Sequence, residues 1–354
     1  MQTLVTGGSG FLALYLIEQL REEGIPVRAL CRRADSGLAQ LGVEVVHGDL
    51  RNPDDLARAV EGCDTVFHVA AIPGVWGPRK LYFDANFQGT MNLLAACRGR
   101  VSKLVFTSTP SVVFDGTPHR GADESLPYAR RFLCHYPHSK MLAERAVLAA
   151  NGQAGLATVA LRPHLIWGPR DRHLLPRLIE RARRGRLRRI GAGTNRVSVS
   201  YVENAAAAHR QAARGLTPNA PHAGRAYFIN EPEPVVLWDW IDGLLVRAGL
   251  APVRRGVSAA AAAAAAGMLE FVHALLPALG EPALTRFVVQ QLSLDHWYDC
   301  SAARRDFGYA PRVPMDEALR RTEPDLRRWA AQGGAAPGQS PRAMPVAGAG
   351  GAIL

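Results

Sequence analysis

The chain has 354 residues, 48% of them hydrophobic and 21% charged. That balance excludes an intrinsically disordered protein, and the length excludes a small scaffold held by disulfides. The net charge of +11 invites a nucleic-acid reading, yet only Lys80, Lys103 and Lys140 are lysines among 42 basic residues; alongside abundant Ala, Gly and Pro this is the imprint of a GC-rich coding sequence, and no nucleic-acid partner is expected.

The opening apolar run, Met1–Thr6, has no basic region before it and enters a glycine turn, so Thr3–Val5 reads as a strand and not as a signal peptide. A helix follows the turn and ends near Glu23–Gly24. Val27–Leu30 and Val43–Val46 are the next strands, then a helix at Pro53–Val60. Thr65–Val69 and Lys103–Thr107 are buried strands separated by a helix at Asn86–Cys97, and Thr158–Arg162 is a further strand. Continuous apolar strands alternating with helices predict a parallel sheet covered on both faces. The fold class is α/β, a doubly wound (Rossmann) sheet, with a smaller, mainly helical substrate lobe. Residues 1–170 are expected to form the nucleotide-binding core, with 197–212 and 225–230 returning to it. Residues 171–330 supply most of the lobe, and 333–354 read as a disordered tail. Val257–Leu279 begins with eight alanines, Ala259 to Ala266, and is broken by Glu270, His273 and Pro277. It predicts a helix packed on the body or on a partner, with shallow insertion at a membrane surface as the other reading. Cys31, Cys63, Cys97, Cys134 and Cys300 are scattered and form no CxxC pair. This predicts reduced thiols in the cytoplasm and no metal site.

Thr6-Gly7-Gly8-Ser9-Gly10-Phe11-Leu12-Ala13 lies directly after a strand and before a helix. A chain that turns sharply and brings its backbone against a pyrophosphate needs glycine there, and the helix N-terminus adds free N–H groups. Strand two ends Leu30-Cys31-Arg32-Arg33. It lacks the carboxylate that would hold the ribose hydroxyls of NADH, and Arg32 and Arg33 suit the 2′-phosphate of NADPH. In Gly48-Asp49-Leu50, Asp49 is placed to accept from an adenine amino group and Leu50 to pack on the ring; a helix cap is the alternative for Asp49.

Tyr136-Pro137-His138-Ser139-Lys140 puts a phenol and an ammonium at i and i+4 on one helix face. The phenol serves as proton donor to a carbonyl while hydride arrives at carbon, and the lysine stabilises its anion and holds the ribose. Thr107-Ser108-Thr109-Pro110-Ser111 supplies a second hydroxyl for the substrate oxygen, Thr109 first, with Ser108 and Ser111 as alternatives. His68, on a buried strand, is expected to be a satisfied core histidine.

These segments occur in the order of the extended short-chain dehydrogenase/reductases, which the chain resembles over about residues 1–325, and within them the 3β-hydroxysteroid dehydrogenase-like branch. Ala71–Pro78, Thr107–Phe114, Arg162–Pro169 and Ser301–Tyr309 are most similar to bacterial 2-alkyl-3-oxoalkanoate reductases of long-chain olefin biosynthesis. The resemblance implies that Phe11 and Leu12 lie beside the pyrophosphate, and that Ala70 and Ala71 line the cofactor. Asn86 would support the active-site hydrogen bonds, and the backbone of Pro163 and His164 would meet the nicotinamide amide. It implies NADPH-dependent reduction of a 2-alkyl-3-oxoalkanoic acid, with a β-lactone synthetase and a β-lactone decarboxylase as partner enzymes. A homo-oligomer is expected, and a steroid or sterol dehydrogenase is the nearest alternative. Trp76, Ser111 and Trp167 are candidates to contact substrate. Arg170, Arg172 and His173 are candidates for its carboxylate, although solvation is the more ordinary fate of each.

Overall fold

The computed structural model describes residues 2–33 and 36–332; the tail expected at 333–354 lies outside them. Seven strands form the main sheet: β1 (Gln2–Thr6), β2 (Val27–Cys31), β3 (Glu44–His47), β4 (Cys63–His68), β5 (Lys103–Thr107), β6 (Ala157–Pro163) and β7 (Ala226–Ile229). Their order is β7-β6-β5-β4-β1-β2-β3, and all pairings are parallel. The sequence alternation explains the layering. Val5, Phe67, Val105 and Val159 point into one core layer, and their neighbours Leu4, Val66, Leu104 and Ala160 into the other. Both faces are apolar, as a sheet covered twice requires.

The helices fall where their signals place them. α1 (Phe11–Glu22) starts at the glycine turn, and α2 (Pro53–Val60) has Asn52 as its cap and Pro53 in its first turn. α3 (Gly89–Cys97) is preceded by a π-helical turn, Phe83–Gln88, which carries Asn86. α4 (His135–Ala149) holds Tyr136 and Lys140. α5 (Leu174–Arg183) leads into the lobe, and α6 (Val202–Ala213) returns to pack on α1. From β1 the chain adds strands outward on one side as far as β3, and from β4 on the other, which makes the carboxyl ends of β1 and β4 the switch point where nucleotides bind in such sheets.

A second sheet builds the lobe, in the order Val235–Val236, Arg196–Val197, His296–Tyr298, His119–Ala122. Its last strand comes from between β5 and α4, so the lobe draws on the first half of the chain as well as the second. Two further helices complete this side: α7 (Ala259–Leu275) and α8 (Arg286–Ser293), which pack together. Among the described residues no helix is long and apolar enough to cross a membrane, and no group of three or more His, Cys, Asp or Glu could hold a metal ion.

Candidate active site

The glycine turn is tight for two reasons. Gly7 has φ +70°, which disfavours any side chain, and a Cβ there would lie 2.9 Å from the Ala70 Cα. A Cβ on Gly10 would meet the Gly7 carbonyl at 3.0 Å. Gly10 N–H donates to that carbonyl at 2.7 Å, and α1 begins at the next residue. Ser9, Phe11 and Leu12 therefore border a helix start whose first N–H groups have no helical acceptor. The bare backbone and the helix terminus fit a pyrophosphate, and thus a dinucleotide. The Arg172 guanidinium reaches the Ser9 carbonyl at 3.5 Å. This puts a cation at the phosphate cradle, a role the sequence spacing of more than 160 residues concealed.

Behind the turn runs a directional hydrogen-bond chain. Ala70 N–H donates to the Thr6 hydroxyl at 3.1 Å, and Thr6 lies 2.8 Å from His68 Nδ1. His68 Nε2 lies 2.9 Å from the Thr90 hydroxyl, which donates to the Asn86 carbonyl at 2.6 Å. Since Thr90 spends its proton on Asn86, His68 donates from Nε2 and accepts at Nδ1. Burial drives its pKa down to about 3, so the ring stays neutral. His68 is a satisfied core histidine, and it ties β1, β4 and the Asn86 turn together.

Asn86 is buried and completes the link to the catalytic helix. Its Oδ1 accepts from Ile72 N–H at 2.7 Å, and Nδ2 donates to the Ile72 carbonyl at 3.0 Å and to Ser139 Oγ at 3.1 Å. It positions both the Ala70–Ala71 segment and α4. Lys140 is 1% exposed; Nζ donates to the Thr107 carbonyl at 2.7 Å and sits 4.0 Å over the Phe106 ring. Burial pushes this amine down to about 7, against a smaller opposing pull from Glu144. Glu144 itself is locked to Arg162, with N–O distances of 2.5 and 3.0 Å.

The Tyr136 phenol is pushed up to about 12, first by burial and then by the Cys134 thiol, while its side-chain interaction with the Thr109 hydroxyl opposes the rise. Among the protein's own groups burial has the largest effect, and Tyr136 is protonated at neutral pH. That is the state a proton donor needs. Thr109 also caps the short turn Pro110–Val112, accepting from Ser111 N–H at 3.2 Å and donating to Ser111 Oγ at 3.2 Å. Of the three candidate hydroxyls Thr109 is the one that acts on the Tyr136 phenol. Ser108 Oγ is buried without a partner among the described residues, an orphan group beside the same strand end.

Arg32 and Arg33 are exposed at the end of β2. Asp49 departs from expectation. Its carboxylate takes two hydrogen bonds from the Arg51 side chain, at 2.9 and 2.7 Å, and one from Arg51 N–H. These bonds hold it below the usual range, with the charge of Arg32 contributing. The carboxylate is thus oriented by Arg51, and the helix cap is Asn52, not Asp49. Leu50 packs against Gly89, where a Cβ would lie 2.7 Å from its own.

At the end of β6, Pro163 pairs with Ile229. His164 N–H donates to Ser200 Oγ at 3.1 Å, and its ring turns away into the lobe, with Nε2 2.6 Å from His296 Nδ1. Trp167 cannot contact a substrate. It is fully buried, with Tyr201 and Trp240 at ring distances of 5.4 and 5.5 Å. A short strand pair between Ile166–Trp167 and Ser200–Tyr201 turns the indole inward. Trp76 is partly exposed, and its carbonyl accepts from Tyr82 at 2.6 Å. Arg170 is not free for a carboxylate: it forms a two-pronged pair with Glu18 at 2.6 and 2.7 Å and lies 4.0 Å over the Tyr15 ring.

A glycine turn fit for a pyrophosphate and a Tyr–Lys pair on one helix, its lysine buried, with an adjacent threonine define a short-chain dehydrogenase/reductase of the extended type, an NAD(P)-dependent oxidoreductase. The chain belongs to the 3-beta hydroxysteroid dehydrogenase/isomerase family, whose model matches residues 4–255. Within it, the chain is 47% identical over 325 residues to the 2-alkyl-3-oxoalkanoate reductase of Stenotrophomonas maltophilia, covering 91% of this chain and 98% of that one. It is 45% identical over 330 residues to the enzyme of the same name from Shewanella oneidensis, covering 91% and 85%. The sterol-4-alpha-carboxylate 3-dehydrogenase, decarboxylating, of Mus musculus is 37% identical over 90% of this chain and 89% of its own length. Among solved structures, the Thermus thermophilus UDP-glucose 4-epimerase in complex with NAD superposes with a TM-score of 0.69 at 25% identity, covering 92% of this chain and 99% of that one.

Proposed function

We propose that the protein reduces the 3-oxo group of a long-chain 2-alkyl-3-oxoalkanoic acid to the 3-hydroxyl, using NADPH, within olefin biosynthesis. The observation that carries this reading is the 45–47% identity to two reductases of that name across nine-tenths of the chain, together with an intact Tyr136–Lys140–Thr109 set. The bound nicotinamide cofactor supplies the hydride. Tyr136 and Thr109 hydrogen-bond the substrate oxygen, and the protonated phenol delivers the proton. Lys140, held on the Thr107 carbonyl, keeps a second donor beside the phenol and the ribose. Arg32 and Arg33, with no carboxylate at 31–33 and with Asp49 tied to Arg51, favour a 2′-phosphate and thus NADPH. The product is a 2-alkyl-3-hydroxy acid, which a β-lactone synthetase and then a β-lactone decarboxylase would consume, and prompt reduction protects the labile oxo acid from losing carbon dioxide.

The test follows nicotinamide absorbance as the protein meets a synthetic long-chain 2-alkyl-3-hydroxy acid with NADP⁺ or NAD⁺, beside a 4-carboxysterol. Turnover of the hydroxy acid with NADP⁺ supports both assignments. Turnover of the sterol alone would move the substrate to the second reading, which the mouse relative favours, and a preference for NAD⁺ would overturn the role of the arginines.

A further inference from the structure

The glycine turn and the first turn of α1, Thr6 to Leu14, contain no charged side chain. A nicotinamide dinucleotide brings an anionic diphosphate to that place, and the bare N–H groups answer it with partial charges only. A full positive charge arrives from a distant part of the chain. Pro169, Arg170, Asp171 and Arg172 follow the short strand Ile166–Trp167 and lead towards α5. This segment is laid along the opening of α1. The Tyr15 hydroxyl donates to the Pro169 carbonyl at 2.9 Å. Arg170 pairs with Glu18 through two guanidinium nitrogens, and its charge lies over the Tyr15 ring. Arg172 completes the series at Ser9, inside the glycine turn.

The two residues before Arg172 are fixed, and its own charge is left unspent. Arg170 has φ +62°, a left-handed conformation that is costly for a residue with a Cβ. Its N–H donates at 2.6 Å to Asp325 on the C-terminal helix Met315–Ala331, which holds it there. Asp171 is 4% exposed, and its carboxylate accepts from the N–H groups of His173, Leu174 and Leu175 at the start of α5. Together these contacts set where Arg172 leaves the backbone. Arg172 is exposed and forms no ion pair among the described residues. Its guanidinium has the Ser9 carbonyl at 3.5 Å, long for a hydrogen bond, so its donors remain available to a stronger acceptor.

We propose that Arg172 is a cofactor-binding residue, a clasp that the segment entering the lobe supplies to the diphosphate held at the glycine turn. A guanidinium offers parallel N–H donors that match phosphate oxygens, and it keeps its charge at every working pH. The diphosphate is common to NAD and NADP. The clasp therefore rests on the nicotinamide chemistry of the family and not on the substrate or on the preference between the two cofactors. That separates it from Arg32 and Arg33, whose assignment is to a 2′-phosphate.

The experiment measures dissociation constants of the full chain for NADP⁺ and for NAD⁺, by quenching of protein fluorescence. Arg172→Ala should raise both by about tenfold, the loss of one charge-assisted hydrogen bond at an exposed site, and by factors that agree within about twofold. Arg172→Lys keeps the charge without the fork and should recover part of the loss. Arg184→Ala makes the same charge change at the far end of α5 and should leave both constants within about twofold. Without nucleotide all three variants should melt with wild type. Unchanged constants for Arg172→Ala would overturn the proposal. So would a loss confined to NADP⁺, which would give Arg172 to the 2′-phosphate, or an equal loss in Arg184→Ala, which would reduce it to general charge. A lower melting temperature of nucleotide-free Arg172→Ala, with no recovery by lysine, would make the residue structural and overturn it as well.

Discussion

Lys140 makes the folded protein less stable than it would be without it, and Lys140→Met should show this. An amine with an ordinary pKa of 10.5 sits at about 7 in the fold because burial removes it from water. The difference is worth roughly 4–5 kcal/mol against the folded state at neutral pH. Methionine has a similar length and no charge to desolvate. It leaves the Thr107 carbonyl without its 2.7 Å donor, at a cost of about 1–3 kcal/mol. The net expectation is a variant more stable than wild type by about 1–4 kcal/mol at pH 7, seen as a rise in Tm of about 1–5 °C. The sign across pH is fixed by the same numbers. Between pH 7 and 10.5 the unfolded lysine holds a proton that the folded one has released, so wild-type stability rises with pH there and the variant's advantage shrinks. Thermal unfolding followed by circular dichroism, without added nucleotide, at pH 7 and pH 9.5 measures both. A variant that melts at or below wild type at pH 7, or an advantage that does not narrow by pH 9.5, refutes the reasoning. Turnover of the variant should be lost regardless.

Tyr136→Phe should reduce kcat by about two to four orders of magnitude while NADP⁺ binding, read by quenching of protein fluorescence, stays within about twofold; surviving turnover would remove Tyr136 as proton donor. Asn86→Ala deletes bonds to Ile72 and Ser139, so denaturant unfolding should register a loss of about 2–3 kcal/mol and kcat should fall about tenfold or more; normal kcat would mean that α4 is placed by other contacts. Arg32→Ala with Arg33→Ala should raise KM for NADP⁺ about ten- to a hundredfold and leave KM for NAD⁺ nearly unchanged, and parallel increases for both cofactors would count against a 2′-phosphate contact.

What the sequence disclosed follows from how local each signal is. The strands at 3–5, 27–30, 103–107 and 158–162 are short apolar runs between turn residues, and a sheet buried on both faces demands that pattern wherever it lies. The Tyr136–Lys140 pair and the glycine turn are likewise written within a few residues. The features that escaped depend on partners far along the chain. Trp167 read as a mouth residue because its segment leaves the sheet beside the cofactor, yet its direction is set by pairing with Ser200–Tyr201 and by Trp240. Arg172 at Ser9 and the His119–Ala122 strand beside His296–Tyr298 have the same cause. The Arg51 partner of Asp49 escaped for a smaller reason: a carboxylate two residues from an arginine can close on it directly, a contact that spacing alone does not announce.

The excursion between β5 and α4 has a mechanical consequence. Thr109 stands where the chain leaves the main sheet, Tyr136 where it returns, and between them His119–Ala122 is woven into the edge of the lobe's own sheet. The two hydroxyl groups are therefore the anchor points of a single tether whose far end is fixed in the lobe's sheet. Any displacement of that edge strand would therefore act on both hydroxyl groups together, through one continuous strip of backbone.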